Sequence, residues 1–243
     1  MSFRKNIQSG FTLVEMAIVL VIFGLILSAL LLPLRAQREQ AAQAQTINTL
    51  DNAKQALLGF AQANGRLPCP ATNNGTATFP DDTGNSNPNG SGICIHQSGF
   101  LPGVTLGISP TDPQGFAIDA WGNRIRYAVT NANTSAFTTN NGMSDLGITA
   151  LTPNLRVCAS ANNCTATVNL ISTAVAVIYS IGATGQQAVG GADETENLNA
   201  IANIDNIFVA HDITAAPNEF DHIVTWISPY VLYNAMIQAG QLH

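Results

Sequence analysis

Glu15 is the residue whose placement demands most of its surroundings. It follows Gly10-Phe11-Thr12-Leu13-Val14 and stands just inside an apolar run, with no further charge from Met16 through Leu34. Inserting an ionised carboxylate into a membrane at such a place costs about 2.5–3.5 kcal/mol unless it is paired or reaches the headgroups. An apolar side chain would make a better anchor. The acid therefore reads as a working part, and its chemistry is ion pairing. The competing reading is a signal anchor whose acid merely snorkels to the surface.

A second group of acids lies in Gly190-Gly191-Ala192-Asp193-Glu194-Thr195-Glu196-Asn197. Asp193, Glu194 and Glu196 follow flexible glycines and could converge on calcium, with backbone carbonyls completing an oxygen shell. The spacing is not that of an EF-hand loop, and a solvated acidic turn is the competing reading.

The chain has four cysteines, Cys69, Cys94, Cys158 and Cys164. An even count in an exported domain suggests disulfides. Order along the chain favours Cys69–Cys94 and Cys158–Cys164 among the three connectivities. No C-x-x-C pair occurs and His96, His211 and His222 show no metal spacing, which argues against zinc at the cysteines. Asp221-His222 and Asp119 are residue types for acid–base work, but nothing in the sequence brings them together. Trp121 and Trp226 are expected to fill a core. G-x-S-x-G, H-E-x-x-H and G-x-x-x-x-G-K are all absent, so the expectation is a protein that is not an enzyme.

These residues need elements to position them. Phe11–Leu34 as a helix would be about 36 Å long, enough to cross a bilayer. From Arg35 to Asn64 the chain is rich in good helix formers. Ile47, Leu50, Leu57 and Ala61, with Ala53 and Phe60 beside them, form one apolar stripe that should pack on a globular head. Gly65 and Pro68 end the helix. Pro33 inside it predicts a kink or marks the membrane exit. Residues 71–98 read as a long surface loop. Strands are expected at Arg124–Val129, Thr173–Ile181, Asn206–Ala210 and His222–Ile227. Ser228-Pro229 opens a short helix over Tyr230–Ala239 that stops at Gly240. The fold class is α+β: a long N-terminal transmembrane helix packed on a small antiparallel sheet in the head.

Charge limits the partners. Beyond residue 62 the bases are Arg66, Arg124, Arg126 and Arg156 against twelve acids, which argues against nucleic-acid binding. Only 10% of the 243 residues are charged, a composition suited to an exported, loop-rich protein.

Residues 1–35 resemble the N-terminus of a type IV prepilin, the class that includes pilins and the pseudopilins of type II secretion. The likeness rests on Arg4 and Lys5 in the leader, Gly10, Phe11, Thr12, Glu15 and the apolar stretch ending near Pro33. It implies a leader at 1–10, a helix at 11–64 (membrane or filament core at 11–34, amphipathic at 35–64) and a pilin-like head at 65–243. It also implies cleavage between Gly10 and Phe11 by a prepilin peptidase and methylation of the new Phe11 amine. That amine keeps a positive charge and would pair with Glu15 of a neighbouring subunit, with Phe11, Glu15 and Pro33 as the assembly residues. The implied partners are copies of itself, other pilins or pseudopilins, an inner-membrane assembly platform, and membrane lipid before assembly. The implied location is the bacterial inner membrane with a periplasmic head, then a pilus or a periplasmic pseudopilus.

Asp119-Ala120-Trp121-Gly122-Asn123 also resembles the segment leading into the sheet of pseudopilins. Tyr179–Gly185 resembles the segment before their calcium loop, where the ion pins the loop to the sheet. The alternative is a membrane-anchored periplasmic binding protein or enzyme that uses a prepilin-like export leader.

Overall fold

The computed structural model describes residues 12–72, 84–86, 88, 93–165, 168–185, 191–198, 205–215 and 219–243, with side chains 27–34 not described. The leader, the Gly10–Phe11 bond and most of the expected loop at 71–98 lie outside this set, as does the Pro33 side chain. The chain divides into two compact units, Met1–Ala42 and Gln43–His243. One helix, α1 (Leu13–Asn64), belongs to both and continues through Pro33.

In the first unit the side chains from Leu13 to Ile26 are exposed, among them Leu13, Val14, Met16, Val19, Leu20 and Phe23. Among the described residues no helix is long and apolar enough to cross a membrane. The span expected at 11–34 thus shows only its first part, because the side chains from 27 to 34 lie outside the described ones.

The second unit is built around a four-stranded antiparallel sheet. Its strands are β1 (Ser98–Phe100), β2 (Arg126–Val129), β5 (Ala176–Ser180) and β7 (Ile223–Ile227), in the order β1-β2-β5-β7. A smaller sheet holds β3 (Leu155–Cys158), β4 (Ile171–Ala174) and β6 (Ile207–Val209) in the order β4-β3-β6. Side chains alternate across a strand, so the larger sheet is apolar on both faces. Tyr127, Val129, Ala176 and Ile178 face a core with Leu50, Ala53, Leu57 and Ala61 of α1 and Leu232 and Met236 of the C-terminal helix Pro229–Gln238. Ala128, Val177 and Tyr179 face a second core with Leu155, Val157 and Phe208.

Four details differ from the sequence expectation. Sheet structure is not a single antiparallel sheet, since β3 pairs with β6 in parallel. The run Thr173–Ile181 is not one strand. Its first part pairs with β3, its second with β2 and β7, and the switch falls at Val175, whose N–H donates to the Ile227 carbonyl at 2.9 Å. An unbroken β-branched run carries no local mark of such a change of sheet. β1 and β3 are not among the expected strands, because β1 holds no β-branched residue and β3 holds only Val157. Finally, Ile47 is 47% exposed, while Thr46 and Thr49 take the inner face of α1. Thr46 earns that place by accepting the Ala120 N–H through its hydroxyl at 3.2 Å. Buried polar atoms are tolerated where they are bonded.

Two disulfides tie the loops. Cys69–Cys94 spans 25 residues with Cα atoms 5.2 Å apart, and Cys158–Cys164 spans 6 with 5.5 Å. This is the pairing that chain order favours. Replacing Cys69 and Cys94 together by serine is expected to cost about 3 kcal/mol through the freed loop of the unfolded chain. Urea unfolding of the full-length protein in detergent, with and without the substitutions, measures it.

Candidate functional site

Among the described residues, groups with chemistry gather in each compact unit. In the first, Thr12 precedes the opening turn of α1. Its hydroxyl oxygen accepts the Glu15 backbone N–H at 3.2 Å, and Glu15 Oε2 accepts the Thr12 backbone N–H and hydroxyl, each at 3.2 Å. This reciprocal pattern is a capping box, which satisfies donors at the helix start that otherwise lack partners. Its signal, Thr-x-x-Glu ahead of an apolar run, is present in the sequence as Thr12 and Glu15. Glu15 therefore has polar partners within its own chain.

In the second unit the site is built around the turn that follows β5. Gly182 has φ +65°, donates its N–H to Ser180 Oγ at 3.0 Å and accepts the Asn123 side-chain N–H at 2.7 Å. The Ser180 hydroxyl donates to Asp119 Oδ2 at 2.6 Å. Asp119 Oδ1 also accepts the backbone N–H groups of Trp121 and Asn123 at 3.0 and 2.8 Å. Burial pushes the Asp119 carboxyl up from its ordinary value, against those hydrogen bonds. Beside this turn runs the segment entering β7, where Asp221 Oδ2 accepts the Thr184 N–H at 2.7 Å. Asp119 and Asp221 thus brace opposite ends of one turn.

The helix Ala192–Asn197 packs against the same segment. Glu194 Oε1 accepts the Asp221 backbone N–H at 3.0 Å. Ligand atoms of Glu194, Asp221 and His222 lie within 4.8 Å of one another. Relative exposure is 1% for Glu194, 2% for His222 and 9% for Asp221. Burial pushes the Glu194 carboxyl up, and the charge of Asp221 adds to the effect. Burial also lowers His222 to about 4, so its ring is neutral at ordinary pH. Asn197 orders the imidazole. Its amide exchanges two bonds with the Val209 backbone, at 2.8 and 2.9 Å, and its Nδ2 faces His222 Nδ1 at 3.2 Å.

Of the three carboxylates proposed for calcium, only Glu194 reaches this cluster. Asp193 Oδ1 accepts the Ser160 hydroxyl at 3.1 Å and the Ala161 N–H at 2.7 Å, and its Oδ2 lies 3.4 Å from His211 Nε2. Glu196 turns toward Asp205, and burial together with that neighbour lifts its pKa to about 7. The reason is helical geometry: successive side chains diverge by about 100° around the axis, so neighbours in sequence point to different surroundings. Asp221 and His222 join Glu194 through tertiary packing, and no sequence pattern signals it. Trp226 packs against the second core and Trp121 is half-buried.

Residues 5–31 match the family model described as the prokaryotic N-terminal methylation motif. No curated protein and no solved structure matches the chain. The chain thus carries the prepilin-type cleavage and methylation motif, and the match spans the leader region and the start of α1 but none of the head.

Proposed function

We propose that this protein is a structural subunit, pilin or pseudopilin, of a bacterial type IV filament, and that it has no enzymatic role. The observation that carries this reading is the methylation motif at residues 5–31, with Glu15 set inside an exposed apolar surface from Leu13 to Ile26. In this reading residues 11–34 anchor the precursor in the inner membrane with the head in the periplasm. Prepilin peptidase cuts after Gly10, and the Phe11 nitrogen changes from a neutral amide to a cation. That cation pairs with Glu15 of a neighbouring subunit. In a low-dielectric bundle the attraction is far stronger than in water, and it sets axial register. Apolar side chains of α1 exchange lipid for other copies of the helix. Contacts that do not close on themselves give an open helical fibre. Other pilins or pseudopilins and an inner-membrane assembly platform are the remaining partners.

The decisive variant is Gly10→Val. Immunoblotting is expected to show only the longer, uncut protein, with filaments missing. Mature-length protein and ordinary filaments in that strain would overturn the reading. Deleting the gene separates its two forms: loss of surface filaments points to a pilus, and exoproteins trapped in the periplasm point to a type II pseudopilus.

A further inference from the structure

We propose that Glu194, Asp221 and His222 bind one divalent transition ion of the zinc class, and that the ion fastens the helix Ala192–Asn197 to the segment leading into β7. This goes beyond the filament reading and does not depend on it. Two carboxylates and an imidazole within 4.8 Å of one another supply three donors, the number of protein ligands common in zinc sites that retain a position for water or another ligand. A second observation points to a ligand. Glu194 Oε2, Asp221 Oδ1 and His222 Nε2 are all buried and have no hydrogen-bond partner outside the cluster, where the Glu194 and Asp221 carboxyls face each other closely enough to share a proton. Buried polar atoms rarely go unbonded, and two adjacent carboxylates repel unless a cation or proton lies between them. Arg126, the base whose charge reaches His222, forms no ion pair with either acid among the described residues.

The donor chemistry selects the ion. Imidazole suits zinc and its neighbours, whereas calcium takes six to eight oxygens. Among the described residues this cluster offers two carboxylates and a nitrogen. The other oxygen of each carboxylate is already held in place, Glu194 Oε1 by the Asp221 N–H and Asp221 Oδ2 by the Thr184 N–H, while in the metal-free ring Asn197 Nδ2 donates to His222 Nδ1 and the ring proton sits on Nε2. Those contacts leave Glu194 Oε2 and Asp221 Oδ1 free as ligand atoms, and His222 Nε2 becomes one once its ring proton has moved. Binding at Nε2 moves the ring proton to Nδ1, so the Asn197 contact is the one given up. At 3.2 Å it is the longest of that side chain's three polar contacts.

The test uses the full-length protein in detergent, stripped with chelator and then titrated with zinc chloride. Equilibrium dialysis is expected to find one zinc per chain, and zinc is expected to raise the melting temperature reversibly. Glu194→Gln, Asp221→Asn and His222→Gln should each weaken zinc binding tenfold or more, and calcium should not replace zinc. The chelation arm needs no variant, so misfolding of a variant cannot hide the answer. Three results would overturn the site: no zinc uptake by the stripped native protein, native-like zinc affinity in all three variants, or equal binding of calcium that His222→Gln leaves unchanged.

Discussion

Replacing Glu15 by alanine is expected to leave cleavage intact and to cut incorporation into filaments by roughly two orders of magnitude or more. Removing one partner of a desolvated ion pair costs about 3–5 kcal/mol, and every 1.4 kcal/mol is about tenfold in association. The structure complicates the alanine result, because Glu15 also caps its own helix through Thr12. Losing a cap costs about 1 kcal/mol by itself. Glu15→Gln separates the two roles. Glutamine can complete a capping box as glutamate does, but it carries no charge to answer the Phe11 amine. Both variants are expected to fail in assembly while migrating at mature length. Filaments of normal yield from Glu15→Gln would show that the cap, and not the ion pair, is what assembly requires. Quantifying subunit in sheared filaments against total membrane subunit decides between them.

Gly182→Ala is the head substitution expected to do most damage, about 2–5 kcal/mol of stability. A Cβ at this position would lie 2.3 Å from Asp221 Cγ and Oδ1 and 2.4 Å from the Asp221 carbonyl oxygen, and the backbone is left-handed at φ +65°. The left-handed conformation alone costs an alanine about 1–2 kcal/mol, and forced overpacking adds about 1–3 kcal/mol. Gly107→Ala is the control. It has the same φ of +65° but nothing within 4 Å of an added Cβ, so it should show the conformational cost alone. Melting temperatures of the two full-length variants in detergent measure the difference. Equal losses would mean that the Asp221 segment yields freely to the turn. A larger loss for Gly182→Ala shows that the two are packed against each other without slack.

Much of the helical part was legible because its signals are local. Gly65 terminates α1 with φ +67°, and Leu50, Ala53, Leu57 and Ala61 take the buried face their spacing predicts. Ser228 and Pro229 open the last helix where helix-start chemistry places them. The errors share one cause. Ile47 fits the apolar pattern by type, but Thr46 can give the Ala120 N–H a partner and isoleucine cannot. The split at Val175 and the parallel pairing of β3 with β6 depend on which strands lie alongside, information that no single strand contains.

The candidate sites divide in the same way. Glu15, Thr12 and the apolar run after them lie within one stretch of chain, so residue type and spacing alone determine that an acid must be accommodated at the head of a greasy helix. In the head, the acids adjacent in sequence separate: a helix turns Asp193, Glu194 and Glu196 toward three different neighbours. Glu194 meets Asp221 across 27 residues of chain, and His222 arrives with it because both enter β7 beside the turn at Gly182. That meeting exists only once the strands have paired, since a contact between distant segments is set by the packing of the elements that carry them.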